Sequence, residues 1–482
     1  MSFTEVSHEE KTPAGRCLGP DPELHRPCRP HQRCGPRPDH RDHARPPAEP
    51  GHGRSSARPG DHGDPVTTGA PLVLLVSSGQ QLYREYLLSQ LSGAFAVWLI
   101  TDESVDWQAP YLTGTTRVAA LDHEQVLAAA RDVQAQRPVA GLLSWDERYI
   151  IVTADVADTL GLPGASPAGV RACRDKAASR DILRAAGLPQ PHSRYCLTPD
   201  EAVTFAGRVG YPVVVKPRGM GASIGVARAD SDADLRLRFQ EAADSSLQGA
   251  AAFQHGALVE TFLTGPEISV DGRVVAGQFE ALWVARKSVG LPPHFEETGH
   301  VVDAADPLLT DPGLQDVLQR AHTAAGFQDG MTHTELKLTP AGPVIVEING
   351  RLGGDLIPHL ATLATGLRPG QLAGEVATRR AGEATRTVCQ SAAIAFRYPD
   401  ADLTVDRVTL PELALPEDYA GQCVALAAPG AALGLPPSAF VGRAAYAVVT
   451  GPDAQTCRAL SETLAQAVTV QARLSAPELA PV

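Results

Sequence analysis

The stretch from Thr332 to Gly354 constrains this chain more than any other. A strand turns successive side chains to opposite faces. Read as a strand, its first half puts Thr334, Leu336 and Leu338 on one face and His333, Glu335 and Lys337 on the other. Its second half sets Val344, Val346 and Ile348 against Ile345, Glu347 and Asn349. Pro340-Ala341-Gly342 supplies the turn. A hairpin centred on Ala341 places Glu335 opposite Glu347 and His333 opposite Asn349. Facing carboxylates repel, and a fold keeps such a pair where a cation sits between them. Two carboxylates and an amide oxygen are hard ligands, suited to magnesium shared with phosphates. Arg351 cannot ligate a metal, but it can fork onto a phosphate or carboxylate oxygen. The plainer alternative is a solvated hairpin with scattered charges. Against it, Leu336, Leu338, Val346 and Ile348 call for burial on one side, which leaves the charged side to line a cleft.

The rest of the chain must supply what such a cleft binds. A net charge of −13 argues against nucleic acid as a partner. The sequence shows no transmembrane run and no signal peptide, so no membrane partner is expected. The eight cysteines are scattered, as in proteins that keep their thiols reduced, and the expected location is the cytoplasm. Residues 1–68 are rich in Pro, Arg, His and Gly and poor in aliphatic side chains, and are expected to be a disordered extension. Cys17, Cys28 and Cys34 with His25 and His31 match no common zinc spacing.

Order is expected from Pro71. The apolar run Leu72–Val76, ending in Ser77-Ser78-Gly79, reads as a buried parallel strand turning into a helix from Gln81 to Leu91. Strands at 96–100 and 139–143 and helices at 121–136 and 149–160 complete a βαβ pattern without a GxGxxG fingerprint. One helix is expected over 174–183, where Lys176 alone reads as a surface charge. Tyr211 to Pro217 reads as a strand running into a glycine-rich loop, Arg218 to Gly225. Because another strand follows, it is neither a P-loop nor a dinucleotide fingerprint. Its bare amides could still form a nest over phosphates; a plain glycine hairpin fits equally well. Short strands follow at 257–263, 267–271, 273–276 and 280–284. Residues 285–300, crowded with ionisable groups, read as a long functional loop. A helix from 312 to 326 leads into the hairpin, and 357–365 is helical. Beyond it come strands at 388–396 and 442–450, a helix at 453–468 and a frayed tail from Leu474.

Five blocks occur in order: Asp175-Lys176; the strand ending at Lys216 with its glycine loop; Leu258-Val259-Glu260 with Gly265-Pro266-Glu267; Thr332 to Lys337; and Glu347 to Arg351. Together they resemble the ATP-grasp superfamily, and within it the carboxylate–amine ligases, in particular bacterial L-amino acid ligases that make dipeptides. The resemblance spans roughly residues 71–470. It implies a multidomain α/β and α+β architecture: a Rossmann-like N-terminal domain at 71–165, an ATP-grasp region at 166–375 with a mobile lid subdomain at about 190–256, and a C-terminal α+β domain at 376–482. It implies that Lys176 and Lys216 contact ATP phosphates and that Gly219, Gly221, Ser223 and Gly225 belong to the covering loop. Glu260, Phe262 and Leu263 would line the adenine pocket, and Glu267 would bind the ribose. Glu335, Glu347 and Asn349 would hold two magnesium ions, with manganese as the alternative. Arg351 would stabilise an acyl phosphate and the oxyanion that follows it.

The resemblance also assigns the amino acid substrates to Glu297, His300, Arg351 and Gly354. Glu297 would bind an amino group, and His300 would orient or deprotonate the nucleophile; a purely structural loop histidine is the alternative. Asp355, next to Gly354, would favour a polar or cationic substrate. A homodimer is the family-level expectation. The implied reaction needs positioning and charge neutralisation and no covalent enzyme nucleophile. Other readings are a biotin-carboxylase-like or purine-pathway ligase, a ligase joining an amino acid to a non-peptide amine in natural-product assembly, and a nucleotide sensor without turnover.

Overall fold

The computed structural model describes residues 69–249 and 253–473. The expectations of disorder over 1–68, of the cysteines and histidines within it, and of a frayed tail from Leu474 fall outside the described residues. Strands Gly114–Arg117, Ala96–Thr101, Leu72–Val76 and Val139–Leu143 form, in that order, a parallel sheet. Leu72–Val76 is buried along its whole length, because helices cover both faces of such a sheet. The loop after Leu143 carries Trp145, buried with its indole N–H on the Ser78 carbonyl, and then Glu147.

The single helix expected over 174–183 is two. Pro167–Arg174 stops at Asp175, whose backbone is extended and whose carboxylate accepts from the Ala177 and Ala178 N–H groups. Asp175 thus caps a new helix, Lys176–Ala185. Lys176 falls in its first turn and Arg180 one turn later, on the same buried face.

A second sheet has the order Ser193–Cys196, Ala257–Thr261, Val213–Lys216, Ala227–Ala229, all antiparallel. Helices Pro199–Val209 and Asp232–Ser246 pack on it through Phe205, Ala206, Leu235 and Phe239. The glycine loop joins two of its neighbouring strands. Ala222 and Ser223 sit at φ 54° and 55°, and Gly225 at 72°. The loop therefore curls through the left-handed region, where non-glycine residues are uncommon.

The third sheet has eight strands. It starts at Gly342–Asn349 and runs through Gly330–Thr339, Glu267–Val275, Gln278–Gly290, Glu296–Asp303, Ser391–Arg397 and Ala445–Gly451 to Ala420–Ala425. It corrects two expectations. The short strands expected from 267 to 284 are two long ones. The loop expected over 285–300 is the end of strand Gln278–Gly290, a tight turn, and the start of strand Glu296–Asp303. Arg286, Lys287, Glu296, Glu297 and His300 looked like loop residues because strands usually alternate polar with apolar, whereas here charged side chains are buried against one another.

The hairpin pairs His333 with Asn349 and Glu335 with Glu347, as the alternation predicted. Nearer the turn the register slips, so that Leu336 faces Ile345 and Thr339 faces Gly342. A β-bulge absorbs Val346 and shortens the turn to Pro340-Ala341. The bulge reverses the expected faces at this point. Ile345 and Ile348 enter the core beside Leu336 and helix Pro312–Ala325, while Val346 borders the cleft.

Helix Ile357–Thr365 lies as expected, and helix Pro369–Ala377, which was not anticipated, follows it. Since Glu296–Asp303 pairs with Ser391–Arg397, the large sheet continues without a break past residue 375. No helix among the described residues is long and apolar enough to cross a membrane.

Candidate functional site

One cleft lies between the second sheet, expected from the sequence to be a lid, and the large sheet. Its wall includes Lys176, Lys216, Gly221, Ser223, Glu260, Phe262, Leu263 and Glu267 of the expected nucleotide residues. Glu335, Glu347 and Asn349 of the hairpin also border it, with Arg351, Gly354, Asp355 and Glu297. Gly219 and Gly225 hold the ends of the covering loop instead. A Cβ on Gly219 would stand 2.5 Å from Phe253, and one on Gly225 would stand 2.7 Å from Ser245. Residues that the sequence did not point to border the cleft as well: Arg180, Phe295 and Val346.

At the lid side, Glu260 is buried between two cations. Its Oε1 is 2.5 Å from Arg180 Nε and its Oε2 is 2.7 Å from Lys216 Nζ. Burial alone would raise its pKa, but Arg180 and then Lys216 pull it down to about 2. Arg180 also donates to the Val346 carbonyl at 2.6 Å, tying the bulge to the lid. Its position one helical turn after Lys176 was the available signal for it. Phe262 stacks on Phe295 at 6.3 Å between centroids and on the Arg228 guanidinium, giving a flat apolar wall.

At the hairpin, each facing carboxylate is neutralised by a lysine from elsewhere. Glu347 meets Lys176 at 3.1 Å, and Glu335 meets Lys287 at 3.1 Å. Unbalanced, such a pair would be costly to hold together. The oxygen-rich donor set of Glu335, Glu347 and Asn349 therefore fits a hard divalent cation, with the two lysines balancing the carboxylates. His333 beside them is buried. Burial lowers its pKa, but the Asp271 carboxylate 2.9 Å away outweighs this and pushes it up to about 9. Asp271 also accepts from the Gly353 N–H at 2.7 Å, fixing the glycine turn that leads to Gly354. Arg351 pairs with Glu147, which also takes Arg174 at 2.8 Å. The N-terminal domain thus aims the Arg351 guanidinium through a carboxylate with no motif around it.

At the far end stand Glu297, His300 and Asp355. His300 does not occupy a loop; it sits mid-strand with its side chain fully buried beneath the cleft wall. Its Nε2 is 3.2 Å from Glu297 and 3.4 Å from Asp355. Burial lowers its pKa, but hydrogen bonds to Asp355 and Glu297 outweigh this and raise it. The imidazole expected to orient or deprotonate a nucleophile thus lies buried against two carboxylates. The carboxylate of Asp355 is not free either. Arg443 grips it with both terminal nitrogens, at 2.8 and 2.6 Å, and holds its pKa far below the ordinary carboxylate range against the effect of burial. Arg443 stacks 3.7 Å over the Phe396 ring and donates to the Tyr398 hydroxyl. The charge on which the expectation of a polar or cationic substrate rested is thus shared with Arg443. Nothing in the sequence near Arg443 signalled this contact.

Residues 209–359 match the family model described as an ATP-grasp domain. An uncharacterized protein, y4rH, of Sinorhizobium fredii is 32% identical over 231 residues, 47% of this chain and 46% of its own length. Carnosine synthase 1 of Gallus gallus is 28% identical over 272 residues, 51% of this chain and 29% of its own. The chain thus spans less than half the length of either relative. Among solved structures, the L-amino acid ligase from Bacillus licheniformis superposes with a TM-score of 0.70 at 20% identity, over 85% of this chain and all of that one. With a glycine loop hung over a carboxylate hairpin and these likenesses beside it, the chain carries the ATP-grasp fold, and residues 209–359 are the part that matches the ATP-grasp domain family.

Proposed function

We propose that this protein is an ADP-forming carboxylate–amine ligase that joins an amino acid carboxylate to an amine, a second amino acid being the favoured partner. The observation that carries the reading is the single cleft. It places a cation-lined pocket under a glycine loop next to a carboxylate hairpin, and the hairpin next to Arg351 and Glu297. The likeness to proteins named carnosine synthase and L-amino acid ligase supports it.

In this reading Lys176 and Lys216 meet the phosphates, and the loop through Gly221 and Ser223 covers them. Phe262 and Leu263 face the base, and Glu267 the ribose. Glu335, Glu347 and Asn349 hold magnesium or manganese, as two ions, which offset charge on the phosphates. The substrate carboxylate attacks the terminal phosphorus, a C–O–P linkage forms, and ADP leaves with the electron pair of the broken P–O bond. The amine then attacks the acyl carbon. The C–N bond forms, the C–O bond breaks, and phosphate departs with that electron pair and the amine's proton. Arg351, held by Glu147, offers positive charge to the oxyanion between these steps. Glu297 accepts an N–H of the amine. His300 acts as a positioning residue below it, and Gly354, without a side chain, leaves room for the substrate.

The test is ADP release by the full chain with ATP and magnesium across pairs of common amino acids, with product masses. ADP formation that needs two amino acids and yields their condensed mass is expected. Glu347→Ala should lower that rate by about 10²–10³-fold, the scale of losing a preorganised charge partner. ATP binding without turnover on any acid tested, with Glu347→Ala indistinguishable from wild type, would return the protein to a nucleotide sensor.

A further inference from the structure

The large sheet buries one lysine that no motif predicts. Lys287 lies on strand Gln278–Gly290, in ladder register with His300. Its side chain is 2% exposed, and its Nζ lies 2.9 Å from Glu267, 2.7 Å from Glu297 and 3.1 Å from Glu335. An ammonium has three N–H donors, and here each goes to a different carboxylate. The carboxylates keep their other oxygens for other partners: Glu267 for Lys337 at 2.9 Å, Glu297 for His300 at 3.2 Å and Glu335 for His333 at 3.5 Å. Lys287 is therefore shared by the groups that the proposed reaction uses for ribose, amine and metal.

A nucleophilic amine must be neutral, yet an amino acid arrives mainly as its ammonium, because amines of this class titrate well above neutrality. An unmatched carboxylate in a closed cleft would bind the ammonium and hold its proton in place. A carboxylate already paired at 2.7 Å to a buried lysine has little charge left for that purpose, while still accepting a hydrogen bond from a neutral N–H. Asp355, the other carboxylate at this end, is neutralised in the same way by Arg443.

We infer that Lys287 is a positioning residue for the ligation, and that its ammonium, by matching Glu297, lets the cleft bind the attacking amine as free base. The inference rests on the ligase reading, since it concerns the second half-reaction of that same site.

The probe is a pair of nucleophiles compared in the full-length protein. One is the amino acid amine that supports ligation; the other is hydroxylamine, which is already neutral at pH 7 and traps acyl phosphates as hydroxamates. Lys287→Met should lower the amino acid rate by about tenfold or more, the effect of one unit of amine pKa. Hydroxamate formation also depends on Glu267 and Glu335, so it should fall too, but by a factor about tenfold smaller than the amino acid rate does. Equal losses with both nucleophiles would overturn the inference, because a merely structural lysine serves both reactions alike. Should Lys287→Met fail to give a cooperative melt, Lys287→Arg decides. It keeps the charge, so it should change both rates by the same factor, and a selective loss of the amino acid reaction would sink the idea. Failure of the ligase reading looks different, since wild type would then yield neither dipeptide nor hydroxamate.

Discussion

The two ends of the cleft carry different charge balances. At one end a single buried carboxylate, Glu260, faces two cations, Lys216 and Arg180. At the Glu297 end Lys287 faces three carboxylates, which also take Lys337, His300 and His333, and Asp355 takes Arg443. A surplus of cations suits polyphosphate. Carboxylates already matched by cations suit an N–H donor that must not stay charged. The field of the cleft can thus sort its ligands before any specific contact forms.

The largest expected effect comes from breaking the Glu260 end. Lys216→Met leaves Glu260 with Arg180 alone in a buried site and should cost on the order of 3 kcal/mol by denaturant titration. Adding Glu260→Leu should deepen that loss, because it leaves the buried Arg180 guanidinium without its carboxylate. If it does not, the pair is not where the stability lies, and the contrast between the two ends loses its energetic basis.

A smaller effect is read by pH. The Glu260 pKa is depressed to about 2, below its unfolded value, so its contribution is present above pH ~4.5 and lost as pH falls toward 2. Melting temperatures from pH 5 to 2 should fall less steeply for Glu260→Gln than for wild type. An unchanged slope would mean that other carboxylates dominate the acid limb.

The smallest effect should sharpen the Glu297 end. Arg443→Met releases Asp355 into the cleft and should raise the preference for lysine or arginine over neutral amino acids by about tenfold, roughly 1.4 kcal/mol. Competition assays among amino acids measure it, and a preference identical to that of wild type would show that Asp355 does not face the substrate.

What could be read in advance follows the range of the contacts. The hairpin was legible because alternation and a turn within one short segment fix Glu335 against Glu347. The bulge at Val346 was not, since the Arg180 guanidinium that meets its carbonyl comes from another element. Asp175 is a common capping residue, yet the charged run around it read as one helix. The strand bearing Lys287 reads as a loop because its partners lie on three other segments: Glu267 on the neighbouring strand, Glu335 one strand beyond that, and Glu297 across the turn. Arg443 lies 88 residues from Asp355, and no local pattern could join them.

The unbroken large sheet has a consequence for how such proteins can diversify. Strand Ser391–Arg397 continues the ladder that carries Glu297 and His300, and the segment after it delivers Arg443. Recombination that traded the last segment of the chain between relatives could not join it through a flexible seam. The incoming piece would have to match the backbone hydrogen bonds of Gly299 to Asp303 and bring its own partner for residue 355. Inheritance of the lysine-lined pocket and of the Glu297 end of the cleft is therefore stitched together at that edge, and changes there should arise more readily by point substitution than by wholesale exchange.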